Sequence, residues 1–176
     1  MRQLLPDPGP GERRKAPLAE EHYRRHRLLS SAVHVSLGIG EAASGHPVPE
    51  TLCVHPSVQA ARESANNVVA WANDLYSAPK ELERGDLCNY VSVPRYERRC
   101  SAQEAAAYVA ALITEQTARF HEAEAQIRGR LLPRVGPGER RALEAMPDTV
   151  VSWMNGNPVR SSETARYRTR TVLEAA

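Results

Sequence analysis

Two stretches of this chain carry a clear helical rhythm of apolar and polar positions. In residues 57–84, Val58, Ala61, Ala65, Val68, Val69, Ala72, Leu75 and Tyr76 recur with a period of about 3.6 and trace one broad apolar face. Ser57, following Pro56, reads as the N-cap, and Gly85 as the stop. Pro79 lies inside the pattern and predicts a distortion, because proline lacks the amide proton a helix interior needs. In residues 101–128, Ala105, Tyr108, Val109, Leu112, Ile113, Thr117, Phe120 and Ala123 line one side. Ser101 with Glu104 has the spacing of a capping box. Gly129 and the segment 133–138, with two prolines and two glycines, predict the end of that helix.

The remaining elements are less regular. Residues 18–43 turn helical through Leu28, Leu29, Val33, Val35 and Leu37, with Gly38 and Gly40 expected to weaken or break the helix. Residues 86–96 show local strand preference but have no partner strand, so they read as a connector or irregular helical segment. A helix resumes over 139–155, interrupted at Pro147, and a short arginine-rich piece follows over 161–173. The first 17 residues hold four prolines and two glycines and read as a flexible lead-in. The expected architecture is all-α, a layer of about five helices over residues 18–176.

Composition narrows the function classes. With 41% hydrophobic and 25% charged residues, the chain can build a core. A net charge of +2 points to no nucleic-acid partner. Cys53, Cys88 and Cys100 show no C-x-x-C spacing and fit a reducing compartment. No apolar run is long enough to span a bilayer, and the start lacks the apolar region of a signal peptide. The expected location is cytoplasmic.

Candidate chemistry concentrates in NDLYSAPKE, residues 73–81. On a helix, Asn73, Ser77 and Glu81 follow at i, i+4 intervals and share one face. They offer an amide oxygen, a hydroxyl and a carboxylate, all hard donors suited to Mg²⁺. One carboxylate is little charge for a protein-only site, whereas a diphosphate would complete the coordination and add negative charge. Asn and Ser are also poor mid-helix residues, so their presence on an apolar helix asks for a reason beyond solvation of its surface. Lys80 could neutralise phosphate oxygens or simply flank Glu81.

This string, with RGDLCNYV after it, resembles the second metal motif of bacterial class I terpene synthases. Asn73, Ser77 and Glu81 match its three ligand positions, Lys80 its common preceding lysine, and Asn89 its usual continuation. The C-terminal Arg166 and Tyr167 resemble the family's arginine–tyrosine pair, which hydrogen-bonds the diphosphate. HYRRHRLLSS, residues 22–31, resembles the helix carrying the diphosphate-sensing arginine, and the spacing to Asn73 points to Arg27. Ser30 and Ser31 depart from the acidic linker and small effector residue usual at the following break. The resemblance implies a magnesium-dependent cyclase that ionises an isoprenyl diphosphate. Arg27, Arg166 and Tyr167 would serve in catalysis, Lys80 would bind diphosphate, and Trp71, Tyr76 and Trp153 are weaker candidates for the pocket wall.

The resemblance covers only the C-terminal half of the family's domain. The sequence has no paired aspartates to match the family's first metal motif; its aspartates are Asp7, Asp74, Asp86 and Asp148. Half of such a bundle would expose an apolar face. The chain is therefore expected to be truncated, mis-started or degenerate, or else completed by a complementary helical half or by self-association. A catalytically inactive fragment or interaction module stays open as the alternative.

Overall fold

A computed structural model describes residues 16–163, leaving most of the proline-rich lead-in and the Arg166–Tyr167 pair outside the described residues. Among the described residues the fold is all-α, with no strand. The helices are α1 (Glu20–Ser30), α2 (Val33–Ala43), the short α3 (Glu50–Cys53), α4 (Pro56–Glu83), α5 (Ser92–Glu97), α6 (Ala102–Gln126) and α7 (Pro137–Glu163). None of these is long and apolar enough to cross a membrane.

The central element is α4. Its 28 residues pack chiefly along α6, with α7 and the α1–α2 pair on other sides. The apolar face read from the sequence is the buried one: Val58, Ala61, Ala65, Val68 and Val69 join Phe120, Ala123, Leu143, Met146 and Val150 in the main core. Each large aliphatic side chain buried in this way contributes about 1.5–3 kcal/mol. A second cluster forms around Trp71, with Tyr23, Tyr90, Val109 and Leu112. Trp71 is buried to 1% and meets Tyr90 edge-on, with ring centroids 5.0 Å apart, so it is core and not pocket wall. The capping box at α6 forms in full: the Glu104 amide donates to the Ser101 hydroxyl, and the Ser101 amide to the Glu104 carboxylate.

Several expected boundaries move. The N-cap of α4 is His55, whose Nδ1 accepts from the Ser57 amide; Ser57 itself is inside the helix, one residue after Pro56. The break in the first helical stretch falls at Ser31–Ala32, not at the glycines. Ala32 takes a left-handed φ of 59°, a conformation that costs a Cβ-bearing residue about 1–2 kcal/mol. Helix α2 continues through Gly38 and Gly40. At Gly40 a Cβ would come within 2.8 Å of Thr149 Cγ2, so this glycine marks a close approach of α2 to α7. Pro147 does not interrupt α7, which runs unbroken to Glu163, and the piece expected over 161–173 starts inside it. Pro147 is buried between core residues Met146 and Val150, and packing on both sides offsets the missing hydrogen bond. Gly129 falls within a wider π-turn, Ile127–Leu131, that keeps both of its end residues buried.

On α2, Val35 and Ile39 lie one turn apart and are about two-thirds exposed, as Leu29 is on α1 even more fully. These large apolar side chains form part of the open surface of the bundle.

A candidate metal and diphosphate site on the fourth helix

The C-terminal half of α4 carries the polar residues. Ser77 is buried, whereas Asn73, Lys80 and Glu81 are half-exposed. Pro79 sits between them and contributes no amide bond to the carbonyl of Leu75, yet α4 continues to Glu83. The helix then ends in a Schellman turn. Gly85 adopts φ 68°, its amide donates to the Leu82 carbonyl, and the Asp86 amide donates to the Glu81 carbonyl. Glycine is suited to this left-handed position because it has no Cβ to clash. The Asp86 side chain next accepts from the Cys88 amide at 2.9 Å, a turn that directs the chain back toward α4.

That return places Asn89, fully buried, against the ligand candidates. Its Nδ2 donates to Glu81 Oε2 at 2.7 Å, to Ser77 Oγ at 3.1 Å and to the Asp74 backbone carbonyl at 2.8 Å. Its Oδ1 accepts from the Val91 amide at 2.8 Å. Two of the three candidate donors, Ser77 and Glu81, thus share one partner atom.

Arg27 reaches the site from α1. Its Nη2 lies 2.8 Å from Asp74 Oδ1, 3.5 Å from Asn73 Oδ1 and 3.4 Å from the Ala70 carbonyl, while its Nε is 3.2 Å from Asp74 Oδ2. Tyr23, one turn earlier on α1, donates its hydroxyl to Asp74 Oδ2 at 2.7 Å. Asp74 is 2% exposed. Burial pushes its carboxyl up to about 6, against the opposing pull of the Arg27 charge and the Tyr23 hydrogen bond. Burial alone would lower the Arg27 guanidinium, but the Asp74 charge and hydrogen bond more than offset it, so its pKa is raised and it stays cationic. Burial, the Asp74 charge and the hydrogen bond together push the Tyr23 phenol up, so it remains a donor.

The structure therefore brings Arg27, Asn73, Ser77 and Glu81 to one end of α4. Lys80 lies on the same stretch and makes no side-chain hydrogen bond or ion pair among the described residues. Tyr76 is half-buried and Trp153 is 40% exposed. Tyr23, the Arg27-holding role of Asp74 and the anchoring role of Asn89 are not evident from the sequence. The available signals were the position of Tyr23 four residues before Arg27 and an aspartate set on a helix face that is otherwise apolar.

The donor set fits a hard divalent cation. Among the described residues, no three His, Cys, Asp or Glu side chains come together, so a cation here would depend on amide and hydroxyl oxygens with the single Glu81 carboxylate. Asn73 offers its Oδ1, and Ser77 and Glu81 have oxygens gathered at Asn89 Nδ2.

Comparison with known proteins returns the same all-α fold and places the chain in a family. The model of terpene synthase family 2, C-terminal metal binding, matches residues 12–119, and the chain belongs to that family. Similar curated proteins include (+)-T-muurolol synthase of Roseiflexus castenholzii, 32% identical over 142 residues, covering 80% of this chain and 42% of the relative. Pristinol synthase of Streptomyces pristinaespiralis is 32% identical over 148 residues, covering 84% of this chain and 40% of the relative. Among solved structures, germacradien-4-ol synthase from Streptomyces citricolor superposes with a TM-score of 0.72 at 26% identity, covering 84% of this chain and 48% of that one. The crystal structure of a-eudesmol synthase superposes with a TM-score of 0.74 at 23% identity, which supports the fold alone. The chain thus spans about two-fifths of the length of these curated relatives and about half of the solved chains.

Proposed function

We propose that this chain provides the diphosphate-gripping, magnesium-binding half of a class I terpene synthase acting on an isoprenyl diphosphate. The observation that carries this reading is the meeting, at one end of α4, of three hard oxygen donors with a guanidinium from α1 3.5 Å from Asn73 Oδ1. In this reading Asn73, Ser77 and Glu81 hold Mg²⁺, while Arg27, Lys80, Arg166 and Tyr167 bind the diphosphate. Bound Mg²⁺ supplies charge stabilisation to the departing diphosphate. Arg27 remains protonated beside Asp74 and presents directed donors that a phosphate oxygen can accept. Lys80 adds a mobile positive charge on the same helix. The printed names of similar synthases, farnesyl-diphosphate-cyclising among them, support a prenyl diphosphate as the substrate class. The exposed Leu29, Val35 and Ile39 support a covering helical half or a second copy as the partner.

Calorimetric titration of inorganic diphosphate with and without Mg²⁺ tests the site. Magnesium-dependent binding is expected in the wild type and lost in Asn73→Ala with Glu81→Ala. Binding that those substitutions leave untouched would falsify the metal assignment. A second reading, an interaction module without catalysis, is favoured by the single carboxylate among the three ligands. It predicts no diphosphate binding with Mg²⁺ even in the wild type.

A further inference from the structure

We propose that Asn89 is a positioning residue for the cation, one that holds the Ser77 hydroxyl and the Glu81 carboxylate at the spacing at which both can ligate. This inference rests on the metal reading of Asn73, Ser77 and Glu81.

The orientation of the Asn89 amide is decided by its surroundings. Its Oδ1 accepts from the Val91 amide, a group that can only donate, and its Nδ2 faces the Asp74 carbonyl, a group that can only accept. With both ends committed, the NH₂ group has to point at Ser77 Oγ and Glu81 Oε2. Its two hydrogens serve three acceptors, so one of them is shared. The Ser77 hydroxyl is oriented as well, because it donates to the Asp74 carbonyl at 3.3 Å. Its oxygen therefore receives the Asn89 hydrogen on one lone pair and keeps the other.

Holding these groups in place matters because α4 is weakened where they sit. Pro79, between Ser77 and Glu81, forms no amide hydrogen bond to the Leu75 carbonyl, so the helix has lost one backbone restraint just where these donors sit. A carboxylate on a flexible stem would otherwise sample many rotamers, and a cation would bear the cost of ordering it. Asn89 is 0% exposed and sits just after the Schellman turn at Gly85, so the fold itself holds it in place. Partners that orient ligating groups in this way commonly affect metal affinity by about 10- to 100-fold when removed.

Mn²⁺ affinity, read by electron paramagnetic resonance with inorganic diphosphate present, tests the proposal together with the melting temperature of the cation-free protein. Asn89→Ala is expected to weaken Mn²⁺ binding by about 10- to 100-fold. The control is Asn66→Ala, an equally buried asparagine earlier on α4 that bonds Ser31 instead of the ligand candidates. It is expected to lower the melting temperature while leaving the affinity unchanged. Unchanged or tighter binding in Asn89→Ala, or an equal loss in both variants, overturns the proposal. If Asn89→Ala does not fold, the wild type decides. Its Asn89 side-chain amide signals in NMR are expected to shift on saturation with Mg²⁺, and signals that stay fixed while the cation binds sink the idea. A wild type that binds no Mn²⁺ overturns the metal reading itself, and this inference with it.

Discussion

The pair α1–α2 meets α4 through two polar contacts, one at each end of the interface, and they are built differently. At the α1 end every charged partner is met, although the Trp71 Nε1 packed beside them has no hydrogen-bond partner. Asp74 receives Arg27 through two nitrogens and Tyr23 through its hydroxyl. Close by, Glu20 accepts from Arg24, Tyr90 and Tyr108, and Arg24 Nε also donates to the Tyr90 hydroxyl. At the α2 end, Arg62 pairs with the buried Glu41 and Ser31 donates to Asn66 Oδ1, but Glu41 Oε1, Arg62 Nε and Asn66 Nδ2 find no hydrogen-bond partner. Buried polar groups left unpaired cost about 1–3 kcal/mol each. The strained backbone of Ala32 follows Ser31 directly, at the break between α1 and α2. Polar burial is therefore not one kind of interaction in this molecule. The α1 network is closed among its charged groups and holds the Arg27 guanidinium beside Asn73. The α2 pair joins two helices with part of its hydrogen-bonding capacity unmet.

The sharpest way to break the comparison is Asp74→Ala. It leaves Arg27 half-buried without its counter-charge and should lower stability by about 3–5 kcal/mol in urea denaturation. A loss under about 1 kcal/mol would mean that the closed network carries little weight. Next comes Tyr23→Phe, which removes one hydrogen bond to a charged carboxylate and should cost about 1.5–3 kcal/mol by the same measurement. The α2 end should respond in the opposite sense. Replacing both members of its ion pair, Glu41→Leu with Arg62→Leu, removes two orphaned atoms along with the charges, and stability should stay level or rise by up to about 2 kcal/mol. A clear fall in the urea midpoint for that double variant would place the two contacts in the same class.

The smallest effect concerns pH. Burial raises the Glu20 carboxyl, but hydrogen bonds from Tyr90, Tyr108 and Arg24 outweigh it, so its pKa in the folded chain is lowered. The folded state then holds fewer protons than the unfolded chain across the carboxylate range. The stabilisation from Glu20 is complete above that range and is lost as pH falls through the folded-state value. Glu20 is partly exposed, so the effect should stay under about 1 kcal/mol. Thermal melts of the wild type and Glu20→Gln should therefore differ at pH 7 and converge as pH falls below about 4. Curves that stay parallel would remove Glu20 from the closed network.

Some of the site could be read directly from the chain. The file of Asn73, Ser77 and Glu81 follows from helical period alone, and the capping box at Ser101 and the stop at Gly85 from local chemistry. Arg27 was located by its spacing within a family pattern, not by any local signal. Propensity alone misplaces other breaks: Gly38, Gly40 and Pro147 all lie inside helices, and at Gly40 the close approach of α2 to α7 favours the residue with no Cβ.

Neighbours within one or two turns are enough to specify the two long helices α4 and α6 and the donors that share a face of α4, so these are legible in the chain alone. Only the tertiary structure decided what those donors meet. Tyr23 reaches Asp74 across 51 residues and Arg27 reaches it across 47, while Asn89 returns to Glu81 through a turn whose direction the Schellman geometry sets. Such contacts depend on how helices dock, and no periodicity within a single helix encodes the angle at which another will cross it.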